Sequence, residues 1–153
     1  MTQAVPRAVV EGFYQALTDC DMDTFASYLD DNVVWTISGP VDVLQFCGQH
    51  RGKDVVLKLV GRDIRAILSE RRFNPDTMLI DGDRVAVLGK LTAKRRDAGH
   101  AISYRIAQFL RFRDNKLVDY VSLLDSFDAV EQMLGQPLAL PDGMRRSSDL
   151  VAL

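Results

Sequence analysis

Residues 102–127, ISYRIAQFLRFRDNKLVDYVSLLDSF, constrain the fold of this chain more than any other stretch. Side-chain character alternates with a period of two over two successive runs, which predicts two long β-strands. Asp114 and Asn115 lie between the runs, where short side chains favour a tight turn, so an antiparallel hairpin is predicted. One face of the hairpin is apolar with a few neutral polar groups: Tyr104, Ile106, Gln108, Leu110, Phe112, Tyr120, Ser122 and Leu124. Such a face can line a binding pocket, although the pattern taken alone favours an ordinary core.

The composition predicts a single domain with a hydrophobic core, since 47% of the 153 residues are hydrophobic. The chain has 19 basic and 21 acidic residues and a net charge of −2. This balance gives no electrostatic reason to expect nucleic acid or an anionic membrane as a partner. The basic pair Arg71 and Arg72 is short, and we interpret it as a solvated strand end.

The sequence also predicts a compartment. The N-terminal residues MTQAVPRAVVEGFYQAL lack the features of a secretory signal peptide, and no apolar run is long enough to span a membrane. The two cysteines, Cys20 and Cys47, do not make a disulfide framework. We therefore expect a cytoplasmic protein with reduced thiols.

Three helices are predicted in the N-terminal half of the chain. Residues 6–19 carry an apolar stripe at helical spacing, and a second helix begins after Asp21, a good N-cap. Residues 52–69 repeat apolar side chains at three- and four-residue steps, which predicts the third helix. A short helix is also expected at residues 127–134.

Further strands are predicted at residues 33–38, 72–79 and 84–94, and residues 41–51 are predicted to form a loop. Pro75 lies within one of these runs and indicates an edge strand or a bulge. Helices gathered first and strands gathered later predict an α+β domain, in which three helices pack on one face of a curved antiparallel sheet.

Three segments of the chain resemble a known superfamily: VVEGFYQALTDCDMDTFASYLDDNVVW, GQHRGKDVV and FLRFRDNKLVDYVSLLDSFDAV. Together with the order of elements, they are similar to the SnoaL-like and ketosteroid-isomerase-like proteins of the nuclear transport factor two-like superfamily. The resemblance implies a cone-shaped sheet, one domain over residues 1–135, and a tail or arm over residues 136–153. It does not imply one activity, because this fold hosts several chemistries in one pocket.

The catalytic positions of two relatives fall here on residues without acid–base groups. Ungapped comparison places the first-helix tyrosine of ketosteroid isomerases at Phe13, their aspartate base at Ile37 and their protonated aspartic acid at Gln108. The Asp-Arg-Asp set of limonene epoxide hydrolases falls on Leu91, Gly89 and Ser122. A slip of one residue would bring Lys90 into the pocket instead. The resemblance therefore implies that neither chemistry is retained.

His50 is the remaining ionisable candidate for catalysis. It lies in the predicted loop near Cys47, and a histidine at a pocket rim can act as a general base near neutral pH. The alternative interpretation is that His50 lies at the pocket rim and only forms hydrogen bonds, and this interpretation is favoured. The predicted ligand-binding residues are Phe13, Trp35, Ile37, Cys47, Tyr104, Gln108, Tyr120 and Ser122. We find no convincing metal-ligand set and no cofactor motif.

Two functions follow from these residues. The first is a small-molecule-binding pocket protein for an apolar, cyclic ligand. The second is an enzyme of the isomerase, polyketide cyclase or dehydratase type that uses His50 and neutral hydrogen-bonding residues. The absence of the expected carboxylates favours the first.

The outer face of the hairpin predicts a homodimer. It carries Ala107 and Phe109 on the first strand and Val121 and Leu123 on the second. Monomeric proteins rarely leave a large apolar patch exposed, and a second copy related by a two-fold axis would cover it.

Overall fold

A computed structural model describes residues 3–139 and 141 of the chain. Its helices are α1 (Arg7–Asp19), α2 (Met22–Ser27), α3 (Lys53–Lys58), α4 (Ile64–Ile67) and α5 (Ser126–Leu134), with a π-helical turn at Leu59–Asp63 between α3 and α4. Its strands are β1 (Leu29–Ser38), β2 (Gly48–Arg51), β3 (Leu68–Asp81), β4 (Arg84–Arg95), β5 (Ala101–Arg113) and β6 (Lys116–Leu124). The predicted α+β class is confirmed, with three helical stretches in the N-terminal half.

The strands form one sheet in the order β2-β1-β6-β5-β4-β3. Neighbouring strands are antiparallel except for β1 and β6, which run parallel. The predicted hairpin is confirmed as β5 and β6, with Gln108 opposite Ser122. Its turn contains Asp114 at φ 50° and Asn115 at φ 60°. Positive φ at both turn residues matches the right-handed twist of the paired strands.

Helix α1 buries one stripe of its surface in the core. Val10, Phe13 and Ala16 are its buried residues, at the spacing of one helical face. The ring of Phe13 lies with its centroid 5.6 Å from Phe25 and 6.4 Å from Trp35. These aromatic contacts fix α1 against α2 and β1.

Strand β1 is longer than predicted. It begins at Leu29, which pairs with Leu117, and the register then shifts before Val34 pairs with Asp119. Residues 30–32 form the irregular part, where the Asn32 amide donates to Asp30 Oδ1 at 2.9 Å. This local bond explains why the polar stretch resembles a helix end in the sequence although it lies within a bulged strand.

The predicted loop at residues 41–51 ends in a strand instead. β2 pairs with β1 at the edge of the sheet, and Trp35 lies opposite His50. This edge strand has four residues, Gly-Gln-His-Arg, and none of them is apolar, so it leaves little signal in the sequence.

The third helical stretch is confirmed, but it ends at Ile67 and contains the π-helical turn. The Ile64 amide donates to Leu59 O, which widens the helix by one residue. A Cβ on Gly61 would lie 3.0 Å from Met22 Sδ, so glycine permits the close approach of α2.

Helix α5 packs against the sheet through Gln132. Its side-chain Nε2 donates to Ser103 O at 2.7 Å, and its Oε1 accepts from the Ser103 amide at 2.6 Å. Of the predicted tail at residues 136–153, only residues 136–139 and 141 lie within the described part of the chain. Among the described residues, no helix has the length and apolar character needed to cross a membrane.

Candidate functional site

A cavity of about 100 Å³ lies between α1, the third helical stretch, β3 and the buried face of the sheet. Thr18 is its exposed lining residue, so the cavity reaches the surface beside the C-terminal half of α1. The residues around it are Tyr14, Leu17, Thr18, Trp35, Ile37, Phe46, Val60, Ile64, Leu68, Arg71, Phe73, Leu91, Tyr104, Ile106, Gln108, Tyr120, Ser122 and Leu124.

Two pairs of stacked rings form part of the wall. The rings of Trp35 and Tyr120 stack with centroids 3.6 Å apart and planes 13° apart. Tyr14 and Phe73 stack at 5.7 Å on the α1 side of the cavity. Flat aromatic walls favour a planar or cyclic ligand, because ring faces offer a large contact area without conformational freedom.

Neutral hydrogen-bonding groups lie within this aromatic wall. The Tyr14 hydroxyl donates to Gln108 Oε1 at 2.7 Å. Burial raises the pKa of Tyr14, Tyr104 and Tyr120 above the usual tyrosine value. All three phenols therefore remain protonated donors at neutral pH. Gln108 and Ser122 are buried on the same side of the sheet.

Arg71 is the charged residue in the lining. Strand β3 is bulged here, because its pairing with β4 shifts between Ser69 and Arg72, and Glu70 has φ 49°. The bulge breaks the alternation of the strand, so Leu68 and Arg71 both line the cavity although three positions separate them. The interpretation of the basic pair as solvated is therefore wrong for Arg71 and holds for Arg72, which is exposed.

The structure brings six of the nine predicted site residues to the cavity: Trp35, Ile37, Tyr104, Gln108, Tyr120 and Ser122. Phe13, Cys47 and His50 are outside the lining. Cys47 is buried in the core, and this burial raises the pKa of its thiol to about 11. His50 lies on the edge strand β2 with Nε2 3.2 Å from Phe46 O.

Tyr14 is a site residue that the sequence comparison missed. Phe13 is fully buried among core rings, whereas Tyr14 lines the cavity one helical step away. The available signal was the spacing of Tyr14, Leu17 and Thr18, which marks a second face of α1.

On β4, Leu91 lines the cavity and Lys90 is exposed, so the one-residue slip considered above does not occur. No aspartate, glutamate or histidine is among the described residues that line the cavity. Nor does the described part of the chain contain a group of three or more His, Cys, Asp or Glu side chains that could hold a metal ion.

The sequence and the structure of this chain are similar to those of known proteins. A family model for the SnoaL-like domain matches residues 10–120. A protein from Rhodopseudomonas palustris, provisionally described as an isomerase, is 30% identical; the match covers 83% of this chain and 93% of that protein with a TM-score of 0.73. None of the curated proteins compared with this chain matches it.

More distant structures share the fold. A nuclear transport factor 2-like protein of unknown function from Burkholderia pseudomallei is 22% identical over 86% of this chain and 96% of its own length, with a TM-score of 0.73. TerC, co-crystallised with polyporic acid, is 18% identical over 84% of this chain and 97% of its own length, with the same TM-score of 0.73.

Proposed function

Because the chain belongs to the SnoaL-like domain family of nuclear transport factor 2-like proteins, we propose that its cavity binds a small, mostly apolar, cyclic molecule. The observation that carries this proposal is the stacked pair of Trp35 and Tyr120 in the wall of a cavity that also holds neutral hydrogen-bonding groups. An apolar cavity with a few convergent polar groups is the usual form of a small-molecule site.

The size of the cavity limits the ligand. Its volume of about 100 Å³ is well below the roughly 300–1,000 Å³ of pockets for drug-sized molecules. It is closer to the apolar cavity of about 150 Å³ that takes up benzene in another protein. A ligand of about one ring is the size that this volume favours, whereas a four-ring steroid requires the walls to move.

The chemistry of the lining favours binding over proton transfer. A general base works best with a pKa near the operating pH. The tyrosines in the lining have pKa values raised by burial, and the remaining polar side chains apart from Arg71 are neutral hydroxyls and an amide. None of these groups accepts a proton readily at neutral pH.

An enzymatic role for the same cavity is the second candidate. It is favoured by the bond between Tyr14 and Gln108, because the phenol donates to Gln108 Oε1 and orients the amide, whose Nε2 hydrogens can donate to a ligand carbonyl. The relative that is 30% identical and provisionally described as an isomerase points the same way. If turnover of a cyclic ketone is found, the variant His50→Ala separates the two catalytic possibilities. Lost turnover would assign the base to His50, and unchanged turnover would assign the chemistry to the neutral cavity groups.

The chain carries its own reporter for the binding test, since Trp35 is its one tryptophan and lines the cavity. We expect benzamide to change the Trp35 fluorescence with a dissociation constant in the millimolar range or tighter, as for a ligand of about nine non-hydrogen atoms. Calorimetry on the same samples excludes an inner-filter effect.

Two phenylalanine variants on one strand locate the binding site. Leu91→Phe fills the cavity and is expected to abolish the benzamide response. Leu88→Phe is the matched control, because Leu88 lies on β4 with its side chain 41% exposed on the other face. Equal benzamide affinity in both variants would show that the cavity is not the site.

A further inference from the structure

We propose that the cavity selects a cyclic ligand with a negatively charged oxygen group, a carboxylate or an acidic enol, and that Arg71 is the residue that binds this group. This inference rests on the proposed binding function and adds the ligand class. It starts from the position of Arg71, which the bulge in β3 turns toward the cavity.

The backbone at this bulge is unusual. Glu70 has φ 49°, a left-handed conformation that costs a non-glycine residue about 1–2 kcal/mol. The shift in pairing between Ser69 and Arg72 leaves Arg71 on the same side of the strand as Leu68 and Phe73. Bulges that re-aim one side chain occur often beside binding sites.

Within the part of the chain that the structure describes, no carboxylate pairs with the guanidinium of Arg71. None of the ion pairs or side-chain hydrogen bonds among residues 3–139 and 141 involves Arg71. The adjacent carboxylate of Glu70 pairs instead with Lys94 Nζ at 2.9 Å. Burial lowers the pKa of Arg71. Arginine nonetheless stays charged in proteins.

The rest of the lining supplies further donors. The phenols of Tyr104 and Tyr120 are protonated, and the indole Nε1 of Trp35 is buried without a partner among the described residues. A cavity with surplus donors and one positive charge complements a ligand rich in acceptors and negatively charged. The planar fork of a guanidinium matches the two oxygens of a carboxylate.

Benzoate and benzamide test this inference, since they share size and shape and differ in charge at pH 7.5. We expect benzoate to bind the wild-type protein about ten-fold or more tightly than benzamide, because hydrogen bonds to charged groups are the strong ones. Trp35 fluorescence and calorimetry measure both affinities.

Two neighbouring arginines provide a matched pair of variants. Arg71→Met is expected to remove the preference for benzoate, so that the ratio of the benzoate and benzamide affinities falls to about one. Arg72→Met, which changes an exposed side chain at the next position, is expected to keep the preference. Arg71→Lys retains the charge and is expected to retain part of the preference.

The outcomes separate the two proposals. Benzamide binding without a preference for benzoate would overturn the inference and leave the proposed function intact. A preference that survives in Arg71→Met would overturn it too, because another cation would then bind the anion. No binding of either compound would overturn both proposals.

Discussion

The outer face of the hairpin carries the prediction with the largest expected effect. Leu123 and Phe109 are 46% and 50% exposed on this face, and the partly exposed Ala107 and Val121 complete the patch. Full burial of a leucine stabilises by about 1.5–3 kcal/mol, so covering the exposed half of Leu123 contributes about 1 kcal/mol per protomer. Both protomers bury Leu123 in a two-fold interface, so the two contributions add to about 2 kcal/mol. This free energy corresponds to about 30-fold in the dissociation constant of the dimer.

The variant Leu123→Asp loses this contribution and also buries a carboxylate without a partner, at a further cost of several kcal/mol. We therefore expect a wild-type dimer at micromolar concentration and a monomer for Leu123→Asp, measured by light scattering. Val55→Asp is the matched control, since Val55 is 47% exposed on α3, away from this patch, and the dimer is expected to persist. A wild-type mass of one chain would refute the dimer, and an unchanged dimer in Leu123→Asp would refute the choice of face.

Three further predictions concern the cavity and the core. Arg71→Met is expected to raise the melting temperature of the ligand-free protein by about 2 °C or more, because it removes a desolvated charge. The control variant Arg72→Met is expected to leave the melting temperature unchanged. A lower melting temperature for Arg71→Met would contradict the placement of the Arg71 charge in the cavity. Ellman's reagent at pH 8 is expected to label the exposed Cys20 in the native protein and Cys47 only after denaturation. Rapid labelling of both thiols in the native protein would refute the buried position of Cys47. Burial raises the Cys47 pKa from 9.0 to about 11, so the protonated thiol of Cys47 contributes to folding stability below pH 9, and this contribution is lost as the pH rises to 11. Steroid isomerisation and epoxide hydrolysis are expected to be undetectable in steady-state assays, since the loss of a general base lowers the rate about a hundred- to ten-thousand-fold. Robust turnover of either substrate would refute this prediction.

The sheet could be predicted from the sequence where its alternation is regular. In β5 and β6 the period of two places Gln108 and Ser122 on one face, and the structure pairs them directly. A one-residue slip would have moved every side chain of the strand to the other face, so the pattern specifies the register strongly. The same regularity explains why Tyr104 and Tyr120 could be expected beside them.

The cavity was harder to predict where the local geometry departs from a regular period. Arg71 reaches it only through the bulge at Glu70, and a bulge breaks the alternation on which the prediction depends. On α1, one residue corresponds to a rotation of about 100°, so the predicted site residue Phe13 lies in the core while its neighbour Tyr14 lines the cavity. The strand β2, which carries His50, is short and lies at an edge, and it leaves no clear pattern.

A crystal structure of the protein with saturating benzoate tests the proposed binding site most directly. We expect electron density for the ring beside the stacked pair of Trp35 and Tyr120, with the carboxylate oxygens about 2.7–2.9 Å from the guanidinium of Arg71. Benzoate bound only outside the cavity, with side chains or ordered water filling the space beside Arg71, would contradict both the site and its ligand class.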